Sequence, residues 1–355
     1  MISLERPICY EARMNYPPRL CLAHLPTPIH KLDRLSAEIG CDLYIWRDDL
    51  TGFVESGNKI RKLEFLLAHA LESGATRIVT SGGMQSNHTR AASFAARRVG
   101  LRVALVVREP KTGRDPQAPP VGNLLLNQIA GADLHYLPYA EYQSKGGVYS
   151  PFLEEVAEHY RRRGEKPCVI AEGGSMARGC FGYVRAVEEM LVTWKQTGAG
   201  TDAPDALFFA EGSGGTHAGL HLGYELHGLD PRRLFAVNIC DTAEYFHQRV
   251  GQLIEEAARE FNLPSRDRTL QVLDGHVGDG FSVASDDDLR FYLGLARQEG
   301  VLLDPTYTGK AFRGMLAELR KAPDRFGKKI LFLHSGGAFA TFAYQEQYAR
   351  VLAGQ

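Results

Sequence analysis

Lys59 and Lys62 stand three residues apart in Ser56-Gly57-Asn58-Lys59-Ile60-Arg61-Lys62-Leu63-Glu64, just after a small, flexible pair. In a helix that begins near Lys59 the two amines share a face. One can attack a carbonyl while the other neutralises a phosphate. That division of labour suits a cofactor bearing both an aldehyde, held on a lysine, and a phosphate anchored away from the reacting carbon. On this segment alone, an ordinary amphipathic helix with a solvated basic face is the simpler reading.

Further segments reverse that preference. Ser81 to Arg90 (SGGMQSNHTR) crowds hydroxyl, amide and imidazole groups into a glycine turn where a helix begins. Free backbone N–H groups there favour an anion such as a substrate carboxylate. Ser86 or Asn87 alone reads equally well as an N-cap. Capping does not explain Gln85, Ser86, Asn87 and His88 in a row, which together form a candidate substrate site. In Glu211 to Gly219 (EGSGGTHAG), the small residues Gly212, Ser213, Gly214 and Gly215 let backbone wrap a phosphate and Thr216 adds a hydroxyl. A tight structural turn is the alternative. The loop fails the dinucleotide pattern, because His217 stands where a third glycine is needed, and it lacks the lysine of a P-loop. Asp304 to Ala311 (DPTYTGKA) places Tyr307 and Thr308 at a helix start, and His334-Ser335-Gly336-Gly337 puts a hydroxyl in another glycine turn. A neutral hydroxyl near a pyridine nitrogen tempers such a ring as an electron sink. His217 and His334 read either as site residues or as packed histidines beside turns.

The elements that must position these groups follow an alternating order. Apolar runs predict strands at 77–80, 102–107, 168–171, 206–210, 234–239 and 329–333, with helices at 60–72, 87–99, 152–162, 182–194, 243–261, 287–299 and 309–319. Continuous apolar runs suit strands buried on both faces, so the fold class is α/β with parallel sheets covered by helices. Ligands in such sheets sit outside the carboxyl ends of strands, where the glycine turns fall. Arg108 to Val121 contains four prolines and several charges, which predicts an exposed loop.

A chain of 355 residues holds one large domain or two medium ones. Its formal net charge of −1 argues against general nucleic-acid affinity and leaves a small molecule as the expected partner. Six cysteines without CxxC spacing indicate neither a disulfide framework nor a metal site; they read as reduced thiols of a cytoplasmic protein. No segment reads as a signal peptide or a membrane span.

The chain resembles the fold-type II, tryptophan-synthase-like pyridoxal phosphate (PLP) enzymes, and within them the D-cysteine desulfhydrase and 1-aminocyclopropane-1-carboxylate deaminase group. The resemblance runs nearly end to end, through Leu25-Pro26-Thr27-Pro28, Trp46 to Gly52 (WRDDLTG), Ser56 to Glu64, Gln85 to His88, Ala171-Glu172-Gly173-Gly174-Ser175, Gly212 to Thr216, Asp304 to Lys310 and His334 to Gly337. It implies two-domain architecture with parallel-rich twisted sheets: a large PLP-binding domain of residues 1–52 and 169–355, a small domain inserted at 53–168, and a homodimer. It further implies that Lys59 carries the cofactor and moves the Cα proton, while Lys62 and Gly212 to Thr216 hold the phosphate. Asn87 is placed beside the pyridine hydroxyl, and Thr308 and Ser335 near the ring nitrogen. Ser86 and its neighbours Gln85, Asn87 and His88 bind substrate, and Tyr307 is the second catalytic group.

Within the group, the deaminase is expected to carry glutamine at position 88 and glutamate at position 308, so His88 and Thr308 resemble the desulfhydrase. Gly278-Asp279-Gly280-Phe281-Ser282 departs from the group, which usually has tyrosine where this chain has Phe281. The expected reaction is β-elimination from D-cysteine to pyruvate, ammonia and hydrogen sulfide. Alternatives are the cyclopropane deaminase, a cysteate sulfo-lyase with Arg178 as the extra cation, and a PLP-binding protein with weakened catalysis.

Overall fold

A computed structural model describes residues 16–354. Cys9 and residues 1–15 of the expected large domain lie outside the described residues. Strand β1 (Ile29–Lys31), helix α1 (Asp33–Ile39), β2 (Asp42–Arg47) and α2 (Asn58–Glu72) open the chain. There follow β3 (Arg77–Gly83), α3 (Asn87–Arg98), β4 (Arg102–Arg108), α4 (Gly122–Ile129), β5 (Asp133–Leu137), α5 (Tyr139–Ser144), α6 (Ser150–Arg161) and β6 (Pro167–Val169). Next come α7 (Ala177–Gln196), β7 (Ala206–Glu211), α8 (Gly215–Leu226), β8 (Leu234–Asn238), α9 (Ala243–Phe261) and β9 (Gln271–Leu273). The chain closes with α10 (Asp286–Glu299), α11 (Thr308–Lys321), β10 (Lys329–His334) and α12 (Gln345–Ala353).

The strands form two sheets, one ordered β1-β2-β10-β7-β8-β9 and one ordered β5-β4-β3-β6, with every pairing parallel except β1 with β2. Helices cover both faces of each sheet. In β2, Leu43 and Ile45 enter one core cluster while Tyr44 and Trp46 enter another. In β4, Val103, Leu105 and Val107 face one cluster and Ala104 and Val106 the other. Burial on both faces is why these strands read as continuous apolar runs.

All six predicted strands and seven predicted helices are present, within a few residues at their ends. The elements that periodicity did not flag are short or weakly apolar, such as the three-residue β1 and β9 and the largely half-exposed β5. One boundary matters for the site. Arg108 is the last residue of β4, in register with Gly83 of β3, and is half-buried; the exposed loop begins after it. Among the described residues no helix is long and apolar enough to cross a membrane.

Candidate active site

Helix α2 is seated before it presents its lysines. Gly57, with φ 106°, passes so close to the turn after β10 that a Cβ there would lie 2.8 Å from the Ser335 carbonyl oxygen. Only glycine fits that conformation and that approach. The same oxygen accepts a hydrogen bond from the Asn58 backbone N–H at 3.0 Å. Between the two lysines, Arg61 points the other way into a buried clamp, donating to both carboxylate oxygens of Asp48 at 2.8 and 2.7 Å and to both of Glu189 at 2.9 and 2.8 Å. Its Nη2 also donates to Thr27 Oγ1 at 2.9 Å. Thr27 and Asp48 come from the LPTP and WRDDLTG segments, so those motifs fix the helix rather than touch a ligand. Bidentate, buried and saturated, the clamp holds α2 in one register.

Lys62 is fully buried, and among the described residues no carboxylate pairs with it; its Nζ donates to the Gly173 carbonyl at 3.3 Å. A Cβ on Gly215 would lie 2.9 Å from that Nζ, so the ammonium sits directly under the start of α8. The loop before it is braced from several sides. Gly214 N donates to Glu211 Oε1 at 3.1 Å, Glu211 Oε2 lies 2.7 Å from His217 Nδ1, and Asn58 Nδ2 donates to Thr216 Oγ1 at 3.1 Å. Ser175 Oγ donates to Ser213 Oγ at 2.9 Å and accepts from Gly215 N at 3.2 Å. Burial, then the charge of Lys59, pushes the Lys62 pKa well below its ordinary value. An anion in the cup reverses that penalty. A buried ammonium and the Thr216 and His217 N–H groups, which have no partner among the described residues, are donors a phosphate needs, so the residues fit the phosphate of PLP.

The small sheet supplies the facing wall. Ser86 caps α3, its Oγ accepting from Thr89 N at 3.3 Å, which leaves the hydroxyl proton to donate. Asn87 is half-buried, and its Oδ1 accepts from Asn123 Nδ2 at 2.8 Å, so its own amide N–H group is the part offered to a ligand. The Gln85 side chain turns to α4, bonding the Val121 carbonyl at 3.1 Å and the Asn123 N–H at 3.0 Å. His88 turns into the interior. Because Thr80 Oγ1 donates to the Ile170 carbonyl at 2.7 Å, His88 Nε2 carries the proton in its 2.8 Å bond to Thr80. Burial, with Lys59 and Lys62 nearby, holds the imidazole neutral.

Between the walls lies a cleft. Lys59, Arg108, Glu172, Cys240 and Tyr307 all keep solvent-accessible surface although protein encloses them closely enough for burial to disfavour the charged form of each. Burial lowers the Lys59 pKa to about 8, with Glu172 and Glu211 opposing it. Burial raises Glu172, drawn back by Arg108, Lys59 and Arg249. Tyr307 is raised well above its ordinary value by burial and by Glu172 and Asp304, so its phenol stays protonated. Ser335 is half-buried, and among the described residues its hydroxyl has no partner.

Not every expected site residue reaches this space. Thr308 is fully buried, and its hydroxyl donates to Asp304 Oδ2 at 2.8 Å while accepting from Asp304 N at 3.0 Å. His334 is packed, bonded to the Leu302 carbonyl at 2.9 Å and bracing the next turn through Gly336 N. Arg178 stacks on Phe261 and faces Glu260 at 4.0 Å. Sequence reasoning passed over Arg108, Glu172, Ser175 and Cys240, and Tyr142, whose ring centroid lies 4.8 Å from the Arg108 guanidinium carbon. Glu172 and Ser175 carried a usable signal, since AEGGS is a glycine turn directly after a strand.

The architecture and site define a pyridoxal phosphate enzyme of fold-type II. The family described as pyridoxal-phosphate dependent enzyme matches residues 20–336. The bifunctional D-cysteine desulfhydrase/1-aminocyclopropane-1-carboxylate deaminase of Arabidopsis thaliana is 37% identical, covering 93% of this chain and 81% of its own. D-cysteine desulfhydrase of Yersinia enterocolitica is 36% identical over 93% of this chain and 97% of its own. A crystal structure of an ACC deaminase homologue superposes with TM-score 0.82 at 34% identity, covering 95% of this chain and 96% of that one. The chain belongs to the D-cysteine desulfhydrase and 1-aminocyclopropane-1-carboxylate deaminase family of PLP-dependent enzymes.

Proposed function

We propose that the protein is a deaminating, β-eliminating lyase for a small amino acid, with D-cysteine as the leading substrate and pyruvate, ammonia and hydrogen sulfide as products. The observation that carries this reading is Lys59, an amine with a pKa of about 8 at the mouth of a clamped helix and beside an anion cup. Bound PLP supplies a sink for the electron pair left when Cα loses its proton. Lys62 and Gly212 to Thr216 hold its phosphate, Asn87 offers an N–H to the ring oxygen, and Ser335 offers a hydroxyl to the ring nitrogen. Lys59 holds the cofactor and then takes the Cα proton, a role suited to a base poised near neutrality. Ser86 and the N-terminus of α3 receive the substrate carboxylate. Tyr307, held as the protonated phenol, donates a hydrogen bond to the departing group.

His88 and Thr308 support the desulfhydrase over the deaminase: position 88 is a neutral ring bonded to Thr80, and position 308 puts no carboxylate at the ring nitrogen. The partition at 53–168 belongs to the same proposal and is supported by the two separate sheets. So do a homodimer, supported by the family resemblance, and a cytoplasmic location, supported by five free cysteines among the described residues.

The test offers D-cysteine, L-cysteine, cysteate and the cyclopropane amino acid to holoenzyme while pyruvate, 2-oxobutanoate, sulfide and sulfite are assayed. Pyruvate with sulfide from D-cysteine supports the proposal; 2-oxobutanoate alone makes the protein the deaminase, and no product from any substrate makes it a binding protein. Lys59→Ala is expected to lose the visible absorbance of lysine-bound cofactor and to lower turnover by roughly 10²–10⁴ through the lost proton transfer alone. An unchanged spectrum in that variant overturns the assignment.

A further inference from the structure

Two carboxyl groups act on Lys59, and they are held in opposite ways. Glu211 is saturated: it accepts from the Gly214 N–H at 3.1 Å and faces His217 Nδ1 at 2.7 Å. Glu172 has no side-chain hydrogen bond and no ion pair among the described residues, although the charges of Arg108, Lys59 and Arg249 all bear on it. An enclosed carboxyl group without a partner is costly unless a ligand or a reaction uses it.

The turn that carries Glu172 is tied to the cup proposed for the phosphate. Gly173, with φ 67°, passes so close to Ser213 that a Cβ there would collide with its hydroxyl. The Gly173 carbonyl accepts from Lys62 Nζ at 3.3 Å, and Ser175 braces Ser213 and Gly215. Glu172 therefore keeps a fixed offset from whatever the cup holds. Its charge also bears on the phenols of Tyr142, Tyr149, Tyr245 and Tyr307 and on the Cys240 thiol. Burial holds each of those five groups protonated, and none gives up its proton readily. A carboxyl group does so far more easily than a phenol or a thiol, even when burial raises it.

We infer that Glu172 is a catalytic acid, the group that transfers a proton to the departing sulfur of the substrate. This rests on the β-elimination reading above. The Cα–H pair becomes the Cα=Cβ bond while Lys59 takes the proton. The Cβ–S bond breaks with its pair on sulfur, and the Glu172 proton joins that sulfur, so that hydrogen sulfide leaves neutral. Positive charge on Lys59 favours the Glu172 carboxylate, so the proton that Lys59 gains makes the one on Glu172 easier to give. Lys59 then returns its proton to Glu172, and water converts the aminoacrylate to pyruvate and ammonia. Tyr307 hydrogen-bonds the same sulfur and keeps its proton.

The test compares the wild type with its Glu172→Gln and Glu172→Asp variants. On holoenzyme it measures kcat/KM for cysteine, whose departing group takes up a proton, against β-chloroalanine, whose chloride needs none, with both enantiomers of each. On cofactor-free protein it measures the pH at which the rate of PLP uptake levels off. Glu172→Gln is expected to lower the cysteine to β-chloroalanine ratio on the order of a hundredfold, the lower end for general acid catalysis, with Glu172→Asp retaining part of it. In cofactor-free protein the neighbouring cations favour the Glu172 carboxylate, which in turn favours the Lys59 ammonium, so Glu172→Gln should move the levelling of PLP uptake about one pH unit lower. An unmoved ratio with both substrates cleaved, or an unmoved uptake profile, overturns the acid and leaves the β-elimination reading standing. Wild-type protein that cleaves β-chloroalanine but not cysteine overturns the acid as well. Wild-type holoenzyme that cleaves neither sinks the β-elimination reading, and the acid with it.

Discussion

The two ends of the cleft are built in different ways. The cup proposed for the phosphate is made from consecutive residues at a strand-to-helix turn, Gly212 to Thr216, with backbone N–H groups and one buried amine, Lys62, beneath it. The opposite end is made of side chains brought from far apart in sequence: Arg108 from β4, Tyr142 from α5, Phe281 from the loop before α10 and Tyr307 from the start of α11. A cofactor phosphate is the same in every turnover and suits a rigid backbone cradle. A substrate side chain is what one enzyme distinguishes from another, and side chains change without disturbing the sheet.

Substitutions at each end should therefore fail differently. Lys62→Met removes the amine buried beneath the cup and is expected to weaken PLP binding on the order of a hundredfold, read by titrating apoprotein with cofactor, without changing selectivity among β-substituted amino acids. A change in that selectivity would mean the two ends are not separable. Lys59 stands between them and adds a pH test. In cofactor-free protein its pKa of about 8 means that the amine is protonated below that value and neutral above it. Attack on the aldehyde needs the neutral amine, so the rate of PLP uptake should rise about tenfold per pH unit up to 8 and then level off. A flat profile below 8 would show that attachment is not limited by this amine. The smallest effect is expected from Phe281→Tyr, which puts a phenol beside the Arg108 guanidinium, 5.6 Å from the ring centroid, and should change kcat/KM for D-cysteine about fivefold, the value of one ordinary hydrogen bond. An unchanged value would show that this end of the cleft does not meet the substrate.

How much was legible follows from the same contrast. Lys59, Lys62, Ser86, Asn87, the Gly212 to Thr216 loop and Ser335 all lie in turns after strands or at helix starts, where local pattern and chemistry coincide. Glu172 and Ser175 lie in such a turn too, yet the turn entered only as part of a resemblance and not as a candidate site. Arg108 had the opposite problem, because the prolines that follow it made it read as the edge of an exposed loop. Tyr142 had no local signal, because it meets Arg108, more than thirty positions earlier in the chain; nor had Tyr149, whose ring packs 4.9 Å from that of Tyr142. Arg178 was of the right type for an anion subsite, but its helix turns it toward Phe261 and Glu260. Thr308, at a promising helix start, bonds to Asp304 instead of the cleft.

The amino-acid sequence by itself determined the α/β alternation, the helix that presents both lysines on one face, and the glycine turns that leave N–H groups free. These depend on local conformation and on burial patterns a few residues long. Tertiary structure alone decided which charges remain without a partner. Arg61 is saturated by Asp48 and Glu189 while Arg108 stays open, and Lys62 is sealed from solvent while Lys59 keeps a solvent-accessible edge and a pKa of about 8. A side chain's protonation and availability depend on the dielectric and the partners around it, and those come from residues distant in the chain.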